Sequence, residues 1–180
     1  MNKPTHIQTA SGIKFYPFKP SQKEICIEDI AHALSQQCRF SGHTSFMGKM
    51  RHYSVAQHSL YCSYICEEYP LWALLHDAAE VYLVDVPTPI KYRLPLFREL
   101  EDKIERTIAN RFNLIWPRPS EVKQADIAAF EIEWVLLMEG KINSKEHKEC
   151  LKNTLFLQIL SMSMEEIKTA FINRFKELTR

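Results

Sequence analysis

Glycine is scarce in this chain. Only four of the 180 residues are glycine, at positions 12, 42, 48 and 140. With so few, neither G-x-G-x-x-G nor G-x-x-x-x-G-K-[ST] can be formed, and these are the loops that hold dinucleotides and nucleotide triphosphates. The sequence therefore predicts neither a Rossmann cofactor site nor a P-loop.

An excess of charge of one sign is also lacking. The formal net charge is +1, from 23 Lys and Arg against 22 Asp and Glu, and the basic residues are scattered along the chain. Binding of long nucleic acids or anionic membranes favours clustered basic residues. We therefore expect neither as a partner, whereas binding of a small charged ligand is compatible with this composition.

Long apolar runs and paired cysteines are missing too. No window approaches the 18 apolar residues of a membrane span, and the N-terminal segment lacks the apolar stretch of a signal peptide. The five cysteines are odd in number and form no C-x-x-C pair, which argues against a disulfide framework and a zinc ribbon. We expect Cys62 and Cys66 to be small buried thiols in a reducing, cytoplasmic protein.

Apolar residues recur at helical spacing through most of the chain. Residues 7–18 predict a short strand or hairpin, Ser54 and Gln57 have capping-box spacing, and Ser120 is predicted to cap a later helix. We expect one all-α domain over 1–180, with a core over about 27–140 and C-terminal helices over about 145–178. The predicted helices cover residues 27–37, 55–68, 71–83, 96–112, 121–139, 145–160 and 163–178.

Three ionisable residues, His76, Asp77 and Glu80, interrupt the apolar run "LLHDAAEVYLVDVP". Burying an unpaired carboxylate costs several kcal/mol. At about 100° per helical residue, the three fall within one arc and face a common point. Imidazole and carboxylate suit a divalent transition metal, whose further ligands must come from other helices. His58 and Asp126, each an isolated polar residue in an apolar helix, are the candidates.

Each of these residues also has an ordinary structural interpretation. A single buried histidine such as His58 is more often a hydrogen-bonding core residue than a ligand, and Asp126 could lie on a solvated face. Glu80 could pair with a basic residue of the following segment, and Asp85 could brace the proline turn. From spacing alone, these alternatives stay open.

The order of these residues resembles a known pattern. His58, then His76 with Asp77, then Asp126 resembles the H…HD…D pattern of the HD-domain metal-dependent phosphohydrolases. The segments "YSVAQHS", "LLHDAAEVYLVDVPTPIK" and "VKQAD" are similar to those of the bacterial HD-domain 5′-deoxynucleotidases and their phage and prophage relatives of the YfdR type. The resemblance extends over about 27–134.

The resemblance implies an HD-domain helical bundle around a single metal site and assigns roles to eight residues. It implies one divalent ion, with Mn, Co, Fe, Ni, Zn and Mg as candidates. Phe40 stands where the best-studied branch of the family has tryptophan. The implied metal ligands are His58, His76, Asp77 and Asp126; the implied catalytic residues are Glu80 and Asp85; the implied contacts to the substrate phosphate and deoxyribose are Arg39 and Phe40.

The implied activity is removal of the 5′-phosphate from deoxyribonucleoside 5′-monophosphates. Hydrolysis of another small phosphoester or of a deoxynucleoside triphosphate remains an alternative, as does a non-catalytic nucleotide-binding regulatory module. The expected partner is a small nucleotide, with a homodimer as a weaker expectation. His43 and His52 match no ligand of the pattern and are interpreted as loop residues or peripheral substrate contacts, and Lys91 is interpreted as a solvated lysine.

Overall fold

Helices dominate the structure, as the apolar periodicity predicts. The computed structural model describes residues 5–180. The all-α prediction is confirmed, since strands are confined to two short hairpins in this part of the chain. The helices are α1 (Ile27–Gln36), α2 (Val55–Ile65), α3 (Pro70–Leu75), α4 (Glu80–Leu83), α5 (Thr88–Lys91), α6 (Pro95–Arg111), α7 (Ser120–Glu133, continued by a π-helical segment Trp134–Met138), α8 (Lys145–Cys150), α9 (Thr154–Ser161) and α10 (Met164–Leu178).

The predicted N-terminal hairpin is present. Its turn is tied to α1, because Ser11 donates from its backbone N–H at 2.8 Å and from its hydroxyl at 2.6 Å to the two carboxylate oxygens of Asp29. A second hairpin lies between α1 and α2. The strands are β1 (Ile7–Gln8) antiparallel to β2 (Lys14–Phe15), and β3 (Ser45–Phe46) antiparallel to β4 (Lys49–Met50).

α2 lies at the centre of the bundle. α1, α3, α7, α9 and α10 all pack against it, and its residues from Val55 through Ser63 are buried. The predicted capping box is present: the Ser54 hydroxyl accepts from the Gln57 N–H at 3.2 Å, and the Gln57 side chain accepts from the Ser54 N–H at 2.9 Å. The Gln57 amide also donates to the Ile159 carbonyl at 2.8 Å. These bonds fix the start of α2 in the core.

The single helix predicted over 71–83 is two short helices. α3 ends at Leu75 and α4 begins at Glu80. Between them the hydrogen bonds run from residue i+3 to residue i: Ala78 N–H donates to the Leu75 carbonyl and Glu80 N–H to the Asp77 carbonyl, each at 3.0 Å. Such tight turns advance by about 120° per residue instead of about 100°. The expectation that His76, Asp77 and Glu80 share one arc of a regular α-helix is therefore wrong for this segment.

Other helix boundaries also differ from the prediction. α2 ends at Ile65 instead of 68, and Pro70 begins the next helix. Ser120 is the first helical residue instead of the cap, because Pro119 occupies the cap position. The segment predicted as one helix over 145–160 is divided by Asn153, whose side chain accepts from the first turn of α9.

Packing is continuous through the bundle. The buried apolar side chains form one core cluster that draws on residues from Phe15 to Phe171. The single-domain organisation over 1–180 stays a prediction. Within residues 5–180, no helix combines the length and the apolar character that crossing a membrane requires.

α10 also begins with a capping box, formed by Ser163 and Glu166, and the boxes of α2 and α10 should contribute unequally to stability. Ser54→Ala removes a buried acceptor and leaves the Gln57 N–H unpaired, so we expect the free energy of unfolding to fall by about 2 kcal/mol. Ser163→Ala removes the equivalent exposed group of α10, where water replaces it, and should cost about 0.5 to 1 kcal/mol. Urea unfolding followed by circular dichroism measures both. Equal losses would contradict the buried position of the first cap.

Candidate active site

Side chains from three parts of the chain meet beside α2. His58 comes from α2, His76 and Asp77 from the turn between α3 and α4, and Asp126 from α7. His58 Nε2 lies 3.2 Å from His76 Nε2 and 3.2 Å from Asp126 Oδ1. Asp77 Oδ2 lies 3.3 Å from His76 Nε2 and 3.7 Å from His58 Nε2. The structure thus brings together the four residues that the sequence singled out, and we call them the four-residue cluster.

The spacing of these donor atoms suits one divalent cation. Two atoms that are each about 2.1 Å from a shared ion lie about 3.0 Å apart when adjacent in an octahedral site and about 4.2 Å apart when opposite. The observed separations run from 3.2 to 3.9 Å. Two imidazoles and two carboxylates are also a donor set that divalent transition metals accept. The residues present therefore fit a metal ion.

A buried thiol adjoins the four-residue cluster. Cys62, one turn after His58, forms with His58 and His76 a group whose donor atoms all lie within 4.8 Å of one another. Burial raises the pKa of the Cys62 thiol, which keeps it protonated and a poorer ligand than an ionised carboxylate. Cys62 and Cys66 are both buried free thiols, as predicted.

A fully buried carboxylate, Glu133 on α7, holds His58 from the opposite side. His58 Nδ1 lies 2.6 Å from Glu133 Oε1, and the Tyr53 hydroxyl donates to the same oxygen at 2.9 Å. Arg39 donates from Nε to the other oxygen at 3.2 Å, and its Nη2 lies 3.2 Å from the same oxygen in an ion pair. Because a carboxylate engages Nδ1, the neutral His58 ring favours the tautomer with its proton there, and in that tautomer Nε2 is unprotonated toward the four-residue cluster.

Glu133 is the main site residue that the sequence did not reveal. In "FEIEWV" it resembles Glu131, which is exposed. The one available signal was its distance of seven residues from Asp126, since two helical turns return to nearly the same face. That spacing occurs by chance in many helices, so it indicated nothing without the fold.

The charges of this region stabilise one another. Burial acts to raise the pKa of Asp77, but its neighbours His76, His58 and Arg39 outweigh burial and hold that pKa well below its usual value. Burial likewise opposes ionisation of Glu133, yet His58 and Arg39 lower the pKa of its carboxyl group. Both carboxylates are therefore ionised at neutral pH.

Two further carboxylates, Glu80 and Asp85, lie near the four-residue cluster. Burial, reinforced by the charges of Asp77 and Asp85, raises the pKa of Glu80 well above its usual value. Among the described residues, one Glu80 oxygen is buried without a hydrogen-bond partner. Burial also raises the pKa of Asp85. Carboxyl groups with raised pKa values are suited to proton transfer near neutral pH.

The loop that carries Asp85 begins at a strained residue. Val84 has φ 63° and ψ 161°, a backbone region that β-branched residues rarely adopt. Such a conformation costs on the order of 1 to 3 kcal/mol and persists only when the surrounding structure imposes it. It turns the chain out of α4, and Asp85 then lines the cavity instead of continuing the helix.

Arg39 and Phe40 lie on a left-handed turn at the same cavity. Phe40 and Ser41 both have φ 52°, which costs about 1 to 2 kcal/mol for each such residue. The Phe40 ring is 5.9 Å from that of Phe130 on α7, centroid to centroid. Besides its bonds to α7, Arg39 donates from Nη1 to Asp77 Oδ2 at 3.4 Å. Each terminal nitrogen of Arg39 keeps one more N–H for a ligand.

One cavity of about 690 Å³ borders these groups. Lys91 also lines it and pairs with Glu101 at 2.7 Å, so the interpretation of Lys91 as a solvated lysine is wrong. His43 and His52 lie outside the cavity wall that the described residues form. The wall includes Arg39, Phe40, His76, Asp77, Glu80, Asp85 and Asp126.

The all-α bundle and the convergence of its H…HD…D residues define an HD-domain protein. The family described as 5′-deoxynucleotidase YfbR-like matches residues 63–178, which is more than half of the chain. The chain belongs to this family of phosphohydrolases of the 5′-deoxynucleotidase type.

Two relatives are similar over most of this chain. The uncharacterized protein YfdR of Escherichia coli (strain K12) is 41% identical over 128 residues, which cover 71% of this chain and 69% of YfdR. An uncharacterized protein of Rhodobacter capsulatus is 38% identical over 128 residues, which cover 66% of this chain and 64% of that protein. The chain therefore matches about two thirds of the length of each relative, and neither name states an activity.

The family match does not cover the whole site. Arg39, Phe40 and His58 precede residue 63. The other three members of the four-residue cluster lie within the match, and so do Glu80, Asp85 and Glu133. The position of His58 within the four-residue cluster is thus established by the geometry of this chain.

Glu133→Gln should destabilise the protein far more than Tyr53→Phe. The amide removes the charge that compensates Arg39 and places an NH2 group against one of the present donors, so we expect the free energy of unfolding to fall by about 3 to 5 kcal/mol. Tyr53→Phe removes one hydrogen bond to the same carboxylate and should cost about 1 kcal/mol. Urea unfolding in chelator measures both.

The pH dependence provides a control for this comparison. Because the folded protein lowers the pKa of Glu133 below 4.5, its contribution should be complete above pH 4.5 and disappear as the pH falls through the lowered value. The difference between wild type and Glu133→Gln should shrink over that acid range. A constant difference would contradict the ion pair as its cause.

Proposed function

We propose that this protein is a metal-dependent phosphohydrolase that removes the 5′-phosphate from deoxyribonucleoside 5′-monophosphates. The observation that carries the proposal is the meeting of two imidazoles and two carboxylates beside a cavity that Arg39, Glu80 and Asp85 line. Membership of the YfbR-like family supports a 5′-deoxynucleotidase type of reaction. The products would be a deoxyribonucleoside and inorganic phosphate.

The four-residue cluster would hold one divalent metal ion, with Mn, Co, Fe, Ni, Zn and Mg as candidates. When bound, such an ion polarises a phosphoryl oxygen and lowers the pKa of a coordinated water. Glu133 would keep His58 in the tautomer that presents Nε2, because its carboxylate accepts a hydrogen bond from the Nδ1–H group. The ligand geometry would thus depend on a residue outside the ligand set.

Arg39 would bind the substrate phosphate. Its planar guanidinium offers paired N–H groups that match two phosphate oxygens, which a lysine does not reproduce. Glu133 and Asp77 hold the guanidinium in place before substrate arrives. Little side-chain entropy would then be lost on binding.

Glu80 and Asp85 would carry the proton transfers. Hydrolysis forms a bond between the water oxygen and phosphorus, breaks the bond from phosphorus to the 5′ oxygen, and moves a proton to that oxygen. Glu80, beside Asp77, is placed to orient or deprotonate the water, and Asp85 to protonate the departing oxygen or to position a water that does so. Both roles are open to both carboxylates.

Metal-dependent phosphate release tests the proposal. We expect release from deoxyribonucleoside monophosphates with added Mn²⁺, Co²⁺ or Mg²⁺, no release in chelator, and little release from ribonucleoside monophosphates or from triphosphates. Asp77→Asn should reduce the rate by at least about 100-fold, since even the loss of a group that only supports a ligand costs about 10- to 100-fold. Asp102→Asn, at an exposed site on α6, is the matched control. Unchanged release by Asp77→Asn would contradict its role as a ligand.

Phe40 should set the preference for deoxyribose. Packed against the sugar carbon that lacks a hydroxyl, its ring would leave a ribose hydroxyl desolvated and unpaired, a penalty of about 1 to 3 kcal/mol, or about 5- to 150-fold. We expect Phe40→Ala to bring the ratio of kcat/KM for dAMP over AMP close to one. Phe18→Ala, at an exposed aromatic residue outside the cavity wall, should leave the ratio unchanged. A retained ratio in Phe40→Ala would assign the preference to another residue.

A further inference from the structure

Exposed apolar side chains on α7 and its π-helical continuation border the cavity and take no part in the reaction described above. Phe130 and Trp134 stack with ring centroids 5.7 Å apart and an interplanar angle of 29°. Their exposed fractions are 41% and 44%, and that of Ile127 is 48%. All three line the cavity, and we call them the apolar shelf.

The apolar shelf lies on the same helix as Asp126 of the four-residue cluster. Asp126 and Glu133 face the buried side of α7, and the shelf residues occupy the adjacent exposed stripe at positions 127, 130 and 134. At Trp134 the helix widens into a π turn, since Glu139 N–H donates to the Trp134 carbonyl at 2.9 Å. Such turns are frequent at functional sites. The shelf is therefore fixed in position relative to Asp126.

The lining of the cavity changes from charged to aromatic between Arg39 and Trp134. The guanidinium carbon of Arg39 lies 5.4 Å from the centre of the Phe40 ring. The Phe40 ring in turn lies 5.9 Å from Phe130 and 6.4 Å from Trp134. The wall thus passes from charged groups to one aromatic ring and then to an open aromatic pair. A nucleoside monophosphate has the same order of phosphate, sugar and flat base.

We propose that the apolar shelf is the nucleobase subsite, on which the base of the substrate stacks. This inference rests on the proposed function and adds the recognition of the base. Stacking requires only a π face, so every base is accepted, and the larger overlap of a purine binds it more tightly than a pyrimidine. Apart from the Trp134 indole N–H, the shelf consists of hydrocarbon, so ring area sets the preference.

Two substrates that differ only in the base test the shelf. Trp134→Ala should raise KM for dAMP by about tenfold, because base stacking on one aromatic residue contributes on that order. Deoxyribose 5-phosphate has the same phosphate and sugar but no base, so its KM should change by less than about twofold in the same variant. Trp134→Phe keeps an aromatic face and should restore most of the affinity for dAMP. Phe18→Ala, the control, should leave KM unchanged for both substrates.

The outcomes separate this inference from the proposed function. Equal changes on the two substrates would overturn the shelf as a base subsite, while continued hydrolysis would leave the proposed function standing. If the wild type hydrolyses neither substrate, the proposed function fails. Calorimetric titration with dAMP in Mn²⁺ then tests the shelf as a base subsite. About tenfold weaker binding by Trp134→Ala supports the subsite, and equal or absent binding overturns it. A dimer that dissociates in Trp134→Ala without a change for dAMP would assign the shelf to a second copy of the chain and also overturn it.

Discussion

A carboxylate without solvent exposure has to be compensated entirely by the protein, and Glu133 is compensated by Arg39, Tyr53 and His58. These residues lie before and within α2, whereas Glu133 is near the end of α7. Their bonds therefore join the segment that precedes α2, the central helix itself and α7. A buried charge that loses its partner costs several kcal/mol, so these elements are held in one arrangement. The same bonds orient an imidazole of the four-residue cluster and the guanidinium beside the cavity.

Several strained or irregular backbone segments border the cavity. Phe40 and Ser41 are left-handed, Val84 occupies a region almost reserved for glycine, and α7 widens at Trp134. Such conformations are less stable than the regular alternatives, and the surrounding packing has to impose them. Each one re-aims a neighbouring side chain toward the cavity. The regular helices thus supply the stability and hold His58 and Asp126, and the irregular segments add Arg39, Phe40, Asp77 and Asp85 to the site.

Periodicity and polarity predicted most of the fold and part of the site. The helices were predictable because their apolar residues repeat locally, and His58 and Asp126 were conspicuous as single polar residues in apolar helices. The break at 76–79 was not predictable in the same way. The run stays largely apolar there, and only the hydrogen bonds change, since they span three residues instead of four. Glu133 was missed because an acidic residue in an amphipathic helix is normally on the exposed face.

By itself the sequence determined the all-α class, the start of α2 at its capping box, and the residues whose burial would require compensation. These are local properties, set by each residue and its neighbours within a few turns. Only the tertiary structure decided that Glu133 compensates Arg39 and His58, that Lys91 pairs with Glu101, and that an aromatic pair borders the charged groups. Those contacts join residues far apart in the chain, and their distances depend on how the helices pack, which no local period encodes.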